Sequence, residues 1–302
     1  MFVILMIKTV CAWTSDGKRL GEFEKIHTDR QGRCAFHPMG DYLATTGWDR
    51  LWCLYDLDKR KCVLTQEGHS ERVHSVAFHP DGSLIATGDL GGVGRVWDCR
   101  SGRAIMGLDS HVKGVLDIDF SPNGFVVATA GEDHSVKLWD IRKKRDHTLS
   151  AHLNTVTCVR FEPQKGDWFV SGSFDKCLKL WSYHNYVNCN ELIGHESRIS
   201  DVDVSPDGHF IVSCGHDQTW KLWSTDKYMF ESRNAPLKSI SDVVIKQEHV
   251  DDHSPIKSET PLLSSHDRTM IDVANNNNGN NNSASNTNTR VTMDIDNDGH
   301  KE

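Results

Sequence analysis

The chain has 302 residues, of which 37% are hydrophobic and 25% charged, with a net charge of −8, nine Cys and nine Trp. This length allows one large domain or two small ones, and the acidic balance argues against a general nucleic-acid binder, because the summed field repels phosphate unless basic groups gather on one face. The cysteines are odd in number, scattered and without a Cys-x-x-Cys pair, a pattern that suggests neither a disulfide framework nor a metal site and fits a reducing compartment.

The apolar opening Phe2–Ile7 is shorter than a signal-peptide core, has no basic stretch before it and no small-residue cleavage site behind it. It is expected to form an outer strand over Phe2–Val10 rather than a leader. No other stretch is long and apolar enough to cross a bilayer, so the expectation is a soluble chain of the cytosol or nucleus with no membrane partner. Beyond this opening one aromatic position recurs: Trp13, Tyr55, Trp97, Trp139, Trp181 and Trp223, at intervals of 42 residues. A period of about 40 to 45 is that of a four-stranded propeller blade.

Each interval carries a His, an alternating strand, a Pro-x-Gly or similar turn, a second strand, a tight turn and a strand ending in the aromatic. In the second interval these are His69, Val73/Val76/Phe78, Pro80-Asp81-Gly82, Leu84 to Thr87 and Gly94 to Asp98. The period-two alternation predicts half-exposed strands, the Gly and Pro positions supply turns, and no helical pattern competes. The units span 27–66, 69–108, 111–149, 152–193 and 195–231, with a remnant over Lys8–Phe23. The predicted fold is therefore all-β, a β-propeller of five whole blades. The remnant has no place in a ring of five, so the expectation is an N-terminally truncated piece of a larger ring. The predicted division is a partial blade over 1–26, propeller blades over 27–231 and a tail over 232–302.

The units resemble WD repeats, with Trp97-Asp98 and Trp139-Asp140 as the WD dipeptide and Trp181-Ser182 and Trp223-Ser224 as variants. The resemblance implies a buried hydrogen-bonded tetrad in each blade. Carried over by position, it reads His111/Thr129/Asp133/Trp139, His152/Ser171/Asp175/Trp181 and His195/Ser213/Asp217/Trp223. A carboxylate bonds an imidazole, which meets a hydroxyl, which meets an indole N–H. Because the His-Ser-Asp set recurs blade after blade, the expectation is structure rather than catalysis, with no catalytic, cofactor or metal residue assigned. Two units depart from the pattern: Tyr55 replaces Trp beside His27/Thr45/Asp49, and Gly91 stands where Asp is expected beside His69/Thr87/Trp97. Those two blades are expected to be softer.

The tail is poor in aromatics and rich in Ser, Thr, Asp and Asn, with Asn275 to Asn282 broken only by Gly279. Such composition cannot bury enough apolar surface to offset its ordering entropy, so disorder is expected. Within it Ile245 to Glu248 and Ile256 to Glu259 resemble attachment sites for the small ubiquitin-like modifier, and Ser254-Pro255 and Thr260-Pro261 resemble proline-directed phosphosites.

In a propeller the Asp-bearing turns and His-bearing loops open on one face. Trp48, Leu90, Glu132, Phe174 and His216, just before the turn Asp position, crowd that face. With Arg30, Arg72 and Arg198, three places after their His, the set Arg30, Trp48, Arg72, Phe174, Arg198 and His216 has the aromatic-plus-Arg character of binding hot spots. The alternative is that Trp48 and Phe174 merely pack over neighbouring turns. On the opposite face the loops carry Lys18/Arg19, Lys59/Arg60/Lys61, Arg100/Arg103 and Arg142/Lys143/Lys144/Arg145, which would form an arc facing RNA phosphate or an acidic partner. The alternative there is that the basic turns stay solvated.

A closer likeness runs through Gln66 to Ser70, Phe78 to Leu84, Thr87-Gly88 and Gly94 to Asp98, together with Phe120 to Gly124 and Val159 to Pro163. These runs resemble the WD protein of the spliceosomal U4/U6 small nuclear ribonucleoprotein, the Prp-four family, over about residues 15–231. The resemblance implies a nuclear, non-enzymatic splicing scaffold within the tri-snRNP. It would dock a splicing-factor protein of the U4/U6 particle near U4 RNA, with direct contact to U4/U6 snRNA left open and no small-molecule substrate. The family's extra N-terminal blades and splicing-factor region have no counterpart in this sequence, and the Asn-bearing tail is not a family feature. A substrate receptor of a ubiquitin ligase or a chromatin reader would use the same ring and stays open as an alternative.

Overall fold

A computed structural model describes residues 9–14, 16–109 and 111–225, and the backbone alone of residues 2–5. Expectations that fall beyond residue 225, among them the tail and its modification motifs, lie outside the described residues. Those residues hold twenty-two strands in six antiparallel sheets and no helix. The first sheet has three strands, β1 (Phe2–Leu5), β2 (Val10–Trp13) and β3 (Arg19–Glu22).

Four sheets of four strands follow, each one repeat. They are β4 (Gln31–Phe36), β5 (Tyr42–Gly47), β6 (Trp52–Asp56) and β7 (Lys61–Gln66); β8 (Val73–Phe78), β9 (Leu84–Asp89), β10 (Gly94–Asp98) and β11 (Ala104–Leu108); β12 (Val115–Phe120), β13 (Val126–Gly131), β14 (Val136–Asp140) and β15 (Arg145–Leu149); and β16 (Val156–Phe161), β17 (Trp168–Ser173), β18 (Cys177–Ser182) and β19 (Asn188–Ile193). The last sheet has β20 (Ile199–Val204), β21 (Phe210–Gly215) and β22 (Trp220–Ser224).

Within each sheet the strands lie in chain order, so every link is a hairpin, as the short Gly- and Asp-bearing turns require. Phe2–Leu5 is a strand, but not an outer one. β1 pairs with β2 through Phe2↔Trp13, just as β5 pairs with β6 through Leu43↔Tyr55, so it takes the second place in its sheet and β3 the outer place.

The sheets stack on one another through alternate residues, and the inner strands β4, β8, β12, β16 and β20 are neighbours in that order. Trp168, Val170, Leu178 and Leu180 of one sheet pack on Ile199, Val202, Ile211 and Trp223 of the next. Each fully buried side chain of this size contributes about 1.5 to 3 kcal/mol. Polar groups stitch the same seams: the Asp117 carboxylate accepts the Val159 N–H at 3.0 Å, Asp119 accepts the Phe161 N–H at 2.8 Å, and the Thr157 hydroxyl donates to the Ile199 carbonyl at 2.9 Å. All nine cysteines are free thiols.

Candidate functional site: the face of the Asp turns

The face is built on the five hydrogen-bonded sets beneath it. His111 Nδ1 lies 2.9 Å from Asp133, His111 Nε2 lies 2.7 Å from the Thr129 hydroxyl, and the Trp139 indole N–H donates to that hydroxyl at 3.0 Å. The sets of His152 and His195 match it, with imidazole to carboxylate at 2.9 and 2.7 Å, imidazole to Ser171 and Ser213 at 2.8 Å, and Trp181 and Trp223 to those hydroxyls at 2.9 Å. If Nδ1–H donates to the carboxylate, Nε2 accepts from the hydroxyl, which accepts from the indole, so every polar atom is used. Ser171 and Ser213 are fully buried in these bonds, so neither hydroxyl meets solvent.

Burial alone would raise the Asp133 and Asp175 carboxyls. It is outweighed at Asp133 by the Ser135 hydroxyl and His111, and at Asp175 by His152, so each sits at about 2. Asp217 is lowered against the same desolvation by His195 and Thr219. Burial also holds His111 below its ordinary range despite Asp133.

The two departing units behave differently. In the first, His27 reaches Asp49 at 3.0 Å and Thr45 at 2.9 Å, but the buried Tyr55 hydroxyl has no hydrogen-bond partner. The second unit is complete, contrary to expectation. Asp89 supplies the carboxylate to His69 at 2.8 Å, and Thr87 joins His69 and Trp97, each at 2.7 Å.

These sets hold the loops that form the face. In every unit the residue before the turn carboxylate position donates its backbone N–H to the loop that follows the His: Trp48 to Arg30, Leu90 to Arg72, Glu132 to Gly114, Phe174 to Thr155 and His216 to Arg198, at 2.7 to 2.9 Å. The six face residues singled out from the sequence fall into two clusters. The Arg30 and Arg72 guanidiniums lie over the Trp48 indole at 5.1 and 4.6 Å, one from its own repeat and one from the next. Arg198 lies over Phe174 at 4.9 Å, with His216 edge-on at 6.4 Å. Such contacts contribute about 0.5 to 1 kcal/mol at exposed sites.

Glu132, Phe174 and His216 share with Arg33, His74 and Thr157 the wall of a cavity of about 340 Å³. Two buried polar atoms of this region, the Trp48 indole N–H and Nδ1 of His74, have no hydrogen-bond partner. Burial holds His74 below its ordinary range, helped by Arg33, so the imidazole is neutral at pH 7.

Sequence reading missed the charges on the inner strands. Arg33 on β4 bonds Asp201 on β20 at 3.0 Å and lies 3.6 Å from Asp117 on β12, which also bonds Arg160 on β16. Burial pushes the neighbouring Asp119 carboxyl up to about 7 against the pull of Arg160. The available signal was the recurrence of Asp at 117 and 201, two repeats apart.

A family model described as WD domain, G-beta repeat, matches residues 17–56, 60–98, 102–140, 143–182 and 187–224, more than half of the chain. The chain belongs to that family. WD-repeat proteins serve as protein-interaction scaffolds, and relatives of this one carry different names. It is similar to the Nuclear distribution protein PAC1 of Arthroderma otae, 39% identical over 87 residues, or 26% of this chain and 19% of that protein. It is also similar to the U4/U6 small nuclear ribonucleoprotein PRP4 of Saccharomyces cerevisiae, 37% identical over 84 residues, or 26% and 18%. The Small ribosomal subunit protein RACK1y of Oryza sativa subsp. japonica is 41% identical over 73 residues, or 24% and 22%. The chain thus spans about a fifth of the length of these curated relatives.

On the opposite face of the WD sheets the eleven basic residues are not equally available. Arg19 pairs with Glu22, Lys59 bonds Asp56 at 2.7 Å, and Arg60 donates to the Leu20 carbonyl at 2.6 Å. Arg142 and Lys143 lie 3.5 and 3.8 Å from Asp140, and Arg142 also covers the Phe125 ring at 3.7 Å. Lys18, Lys61, Arg100, Arg103, Lys144 and Arg145 are solvent-exposed. Among the described residues no group of three or more His, Cys, Asp or Glu is placed to hold a metal ion.

Proposed function

We propose that this WD-repeat chain is a non-catalytic scaffold of the nuclear U4/U6 particle in pre-mRNA splicing, docking a splicing protein on the face around Trp48 and Phe174. The observation that carries the docking reading is the meeting of three exposed arginines with two half-buried aromatic rings, Trp48 and Phe174, on one face. A peptide carbonyl or carboxylate brought to that face meets the exposed Arg30, Arg72 and Arg198 side chains, and hot spots of bound partners are built from Trp, Arg and similar anchors. Support for the splicing reading comes from two similar proteins, the yeast PRP4 and the U4/U6 small nuclear ribonucleoprotein PRP4-like protein of Arabidopsis thaliana, 40% identical over 64 residues.

The test is immunoprecipitation of the full chain with identification of the bound RNA and protein. U4 and U6 RNAs are enriched with the wild type and lost, with the splicing protein, in Trp48→Ala/Phe174→Ala. Their absence from the wild-type sample overturns the splicing reading. Charge reversal of Lys61, Arg100, Arg103, Lys144 and Arg145 asks separately whether the exposed part of the basic arc touches RNA. Weaker RNA retention with a flatter salt dependence is the expected result, and unchanged retention removes the arc from the reading.

A further inference from the structure

On the face opposite the Asp turns, a tyrosine of one repeat stacks on a histidine of the repeat before it. Tyr186, in the turn between β18 and β19, lies nearly parallel to His147 of β15, with ring centroids 4.4 Å apart and planes inclined by 23°. Tyr183 of the same turn meets Tyr186 edge-on at 6.1 Å. Both tyrosines are half-buried against the core beneath, whereas His147 is exposed, so the stack opens to solvent at its imidazole end.

The backbone of this turn does not call for a ring. Tyr186 has a φ of 57°, and its amide donates to the Ser182 carbonyl at 3.0 Å. Gly102 holds the same place in its own repeat, with a φ of 68° and its amide 2.8 Å from the Asp98 carbonyl. Gly adopts that left-handed conformation freely, and a bulky side chain adopts it at a cost.

Positive charge borders the stack. The turn between β14 and β15 carries Arg142, Lys143, Lys144 and Arg145, all exposed, against Asp140 and Asp146. Arg145 and His147 alternate along β15, opposite Asp140 and Leu138, and therefore share one face of the strand, while Asp146 belongs to the other. Burial, Tyr186 and Asp140 push the Tyr183 hydroxyl above its ordinary range against the pull of Arg142, which places that guanidinium beside the rings as well. Cations in line with an open ring stack match a chain that offers phosphates and unpaired bases together. A duplex keeps its base faces stacked inside, and an acidic peptide offers charge without a regular series of flat rings.

We infer that His147, Tyr186 and Arg145 form a site for single-stranded nucleic acid, with a base laid on the open face of His147 and phosphates running along the turn from Arg142 to Arg145. The site does not rest on the splicing reading. It also differs from the basic arc, because charge alone holds duplex and single strand alike.

Fluorescence anisotropy of the full 302-residue chain with labelled oligouridine of about 12 nucleotides tests this, beside a paired RNA duplex of the same length and polyglutamate. The oligouridine is expected to bind more tightly than either. Tyr186→Gly, which suits the turn, and His147→Ala, at an exposed position, each weaken oligouridine binding at least about fivefold and leave duplex binding unchanged. Tyr186→Phe keeps the ring and the binding. Arg145→Glu weakens binding and flattens its salt dependence. Phe210→Ala, which removes an exposed ring from another sheet, changes nothing. Absence of oligouridine binding, equal affinity for the duplex, preference for polyglutamate, or full binding by His147→Ala overturns the inference. The splicing reading is decided separately, by whether U4 and U6 RNAs accompany the chain.

Discussion

The Asp89 carboxylate lies 2.8 Å from Nδ1 of His69, although Asp89 stands two residues before the position that carries the carboxylate in the other four repeats. Those repeats read Gly47-Trp48-Asp49, Gly131-Glu132-Asp133, Ser173-Phe174-Asp175 and Gly215-His216-Asp217; this one reads Asp89-Leu90-Gly91. Geometry permits the exchange. A Cβ placed on Gly47 would fall 2.3 Å from the Asp49 carboxylate oxygen and 2.4 Å from His27 Nδ1, so a side chain from either position points at the imidazole. Asp89→Gly is expected to cost about 1 to 3 kcal/mol by leaving the buried imidazole unpaired, and Asp89→Gly/Gly91→Asp to recover most of that. Urea unfolding of the single and double variants checks this, and a double variant no better than the single one refutes the equivalence.

Tyr55 is the complementary case, a residue that keeps the size of the pattern but not its hydrogen bond. Its hydroxyl is fully buried and unpartnered, while its ring meets Phe23 edge-on at 5.6 Å. Tyr55→Phe keeps that ring contact and removes a polar group that is desolvated without return, so a gain of about 1 kcal/mol is expected in urea unfolding. A loss of similar size would show that the hydroxyl has a partner in solution.

The repeat was legible because period and pattern coincide: six aromatics at one spacing define six equivalent sheets, and alternation within each interval defines which face is buried. The Asp89 substitution was not legible, because position in a motif stands in for position in space only while the turn keeps its residue order. The Arg33, Asp117, Arg160 and Asp201 cluster was hidden for a different reason. Its members come from four repeats, and nothing local in any one of them distinguishes a charge on the inner strand from a charge facing solvent. The face of the Asp turns was more accessible, since Arg72 and Trp48 occupy fixed places in adjacent repeats. The basic arc is only partly available, because cations close in sequence do not reveal the carboxylates that share their turns. Asp56, Asp98 and Asp140 accept the turn amides of Lys59, Arg100 and Arg142 and sit beside the same cations.

Acid should loosen the buried sets in a defined window. The Asp133 and Asp175 carboxyls are held at about 2, below the ordinary value of about 4 that they regain on unfolding. A lowered folded-state value contributes stability that is present above pH 4 and is lost as the pH falls from 4 through 2. Unfolding free energy measured by urea titration is expected to drop across that window, with a shallower slope in Asp133→Asn and in Asp175→Asn. An unchanged slope in both variants would mean that other carboxyls carry the acid transition.

The inner-strand charges set the last prediction, because their burial is unequal. The Asp117 side chain is 1% exposed, whereas Asp201 is 45% exposed and can recover solvation if its partner is lost. Arg160 bonds Asp117 directly, while Arg33 is shared between Asp201 and a longer approach to Asp117. Removing one member of a buried pair strands the other, at a cost of about 3 to 5 kcal/mol, and removing a partner of an exposed carboxylate costs about 1 kcal/mol or less. Arg160→Met should therefore destabilise the fold well beyond Arg33→Met, although both lose one guanidinium from the same cluster. Equal effects in urea unfolding would mean that Asp117 leans on both arginines alike, and a larger effect of Arg33→Met would place the weight of the network on the Asp201 side.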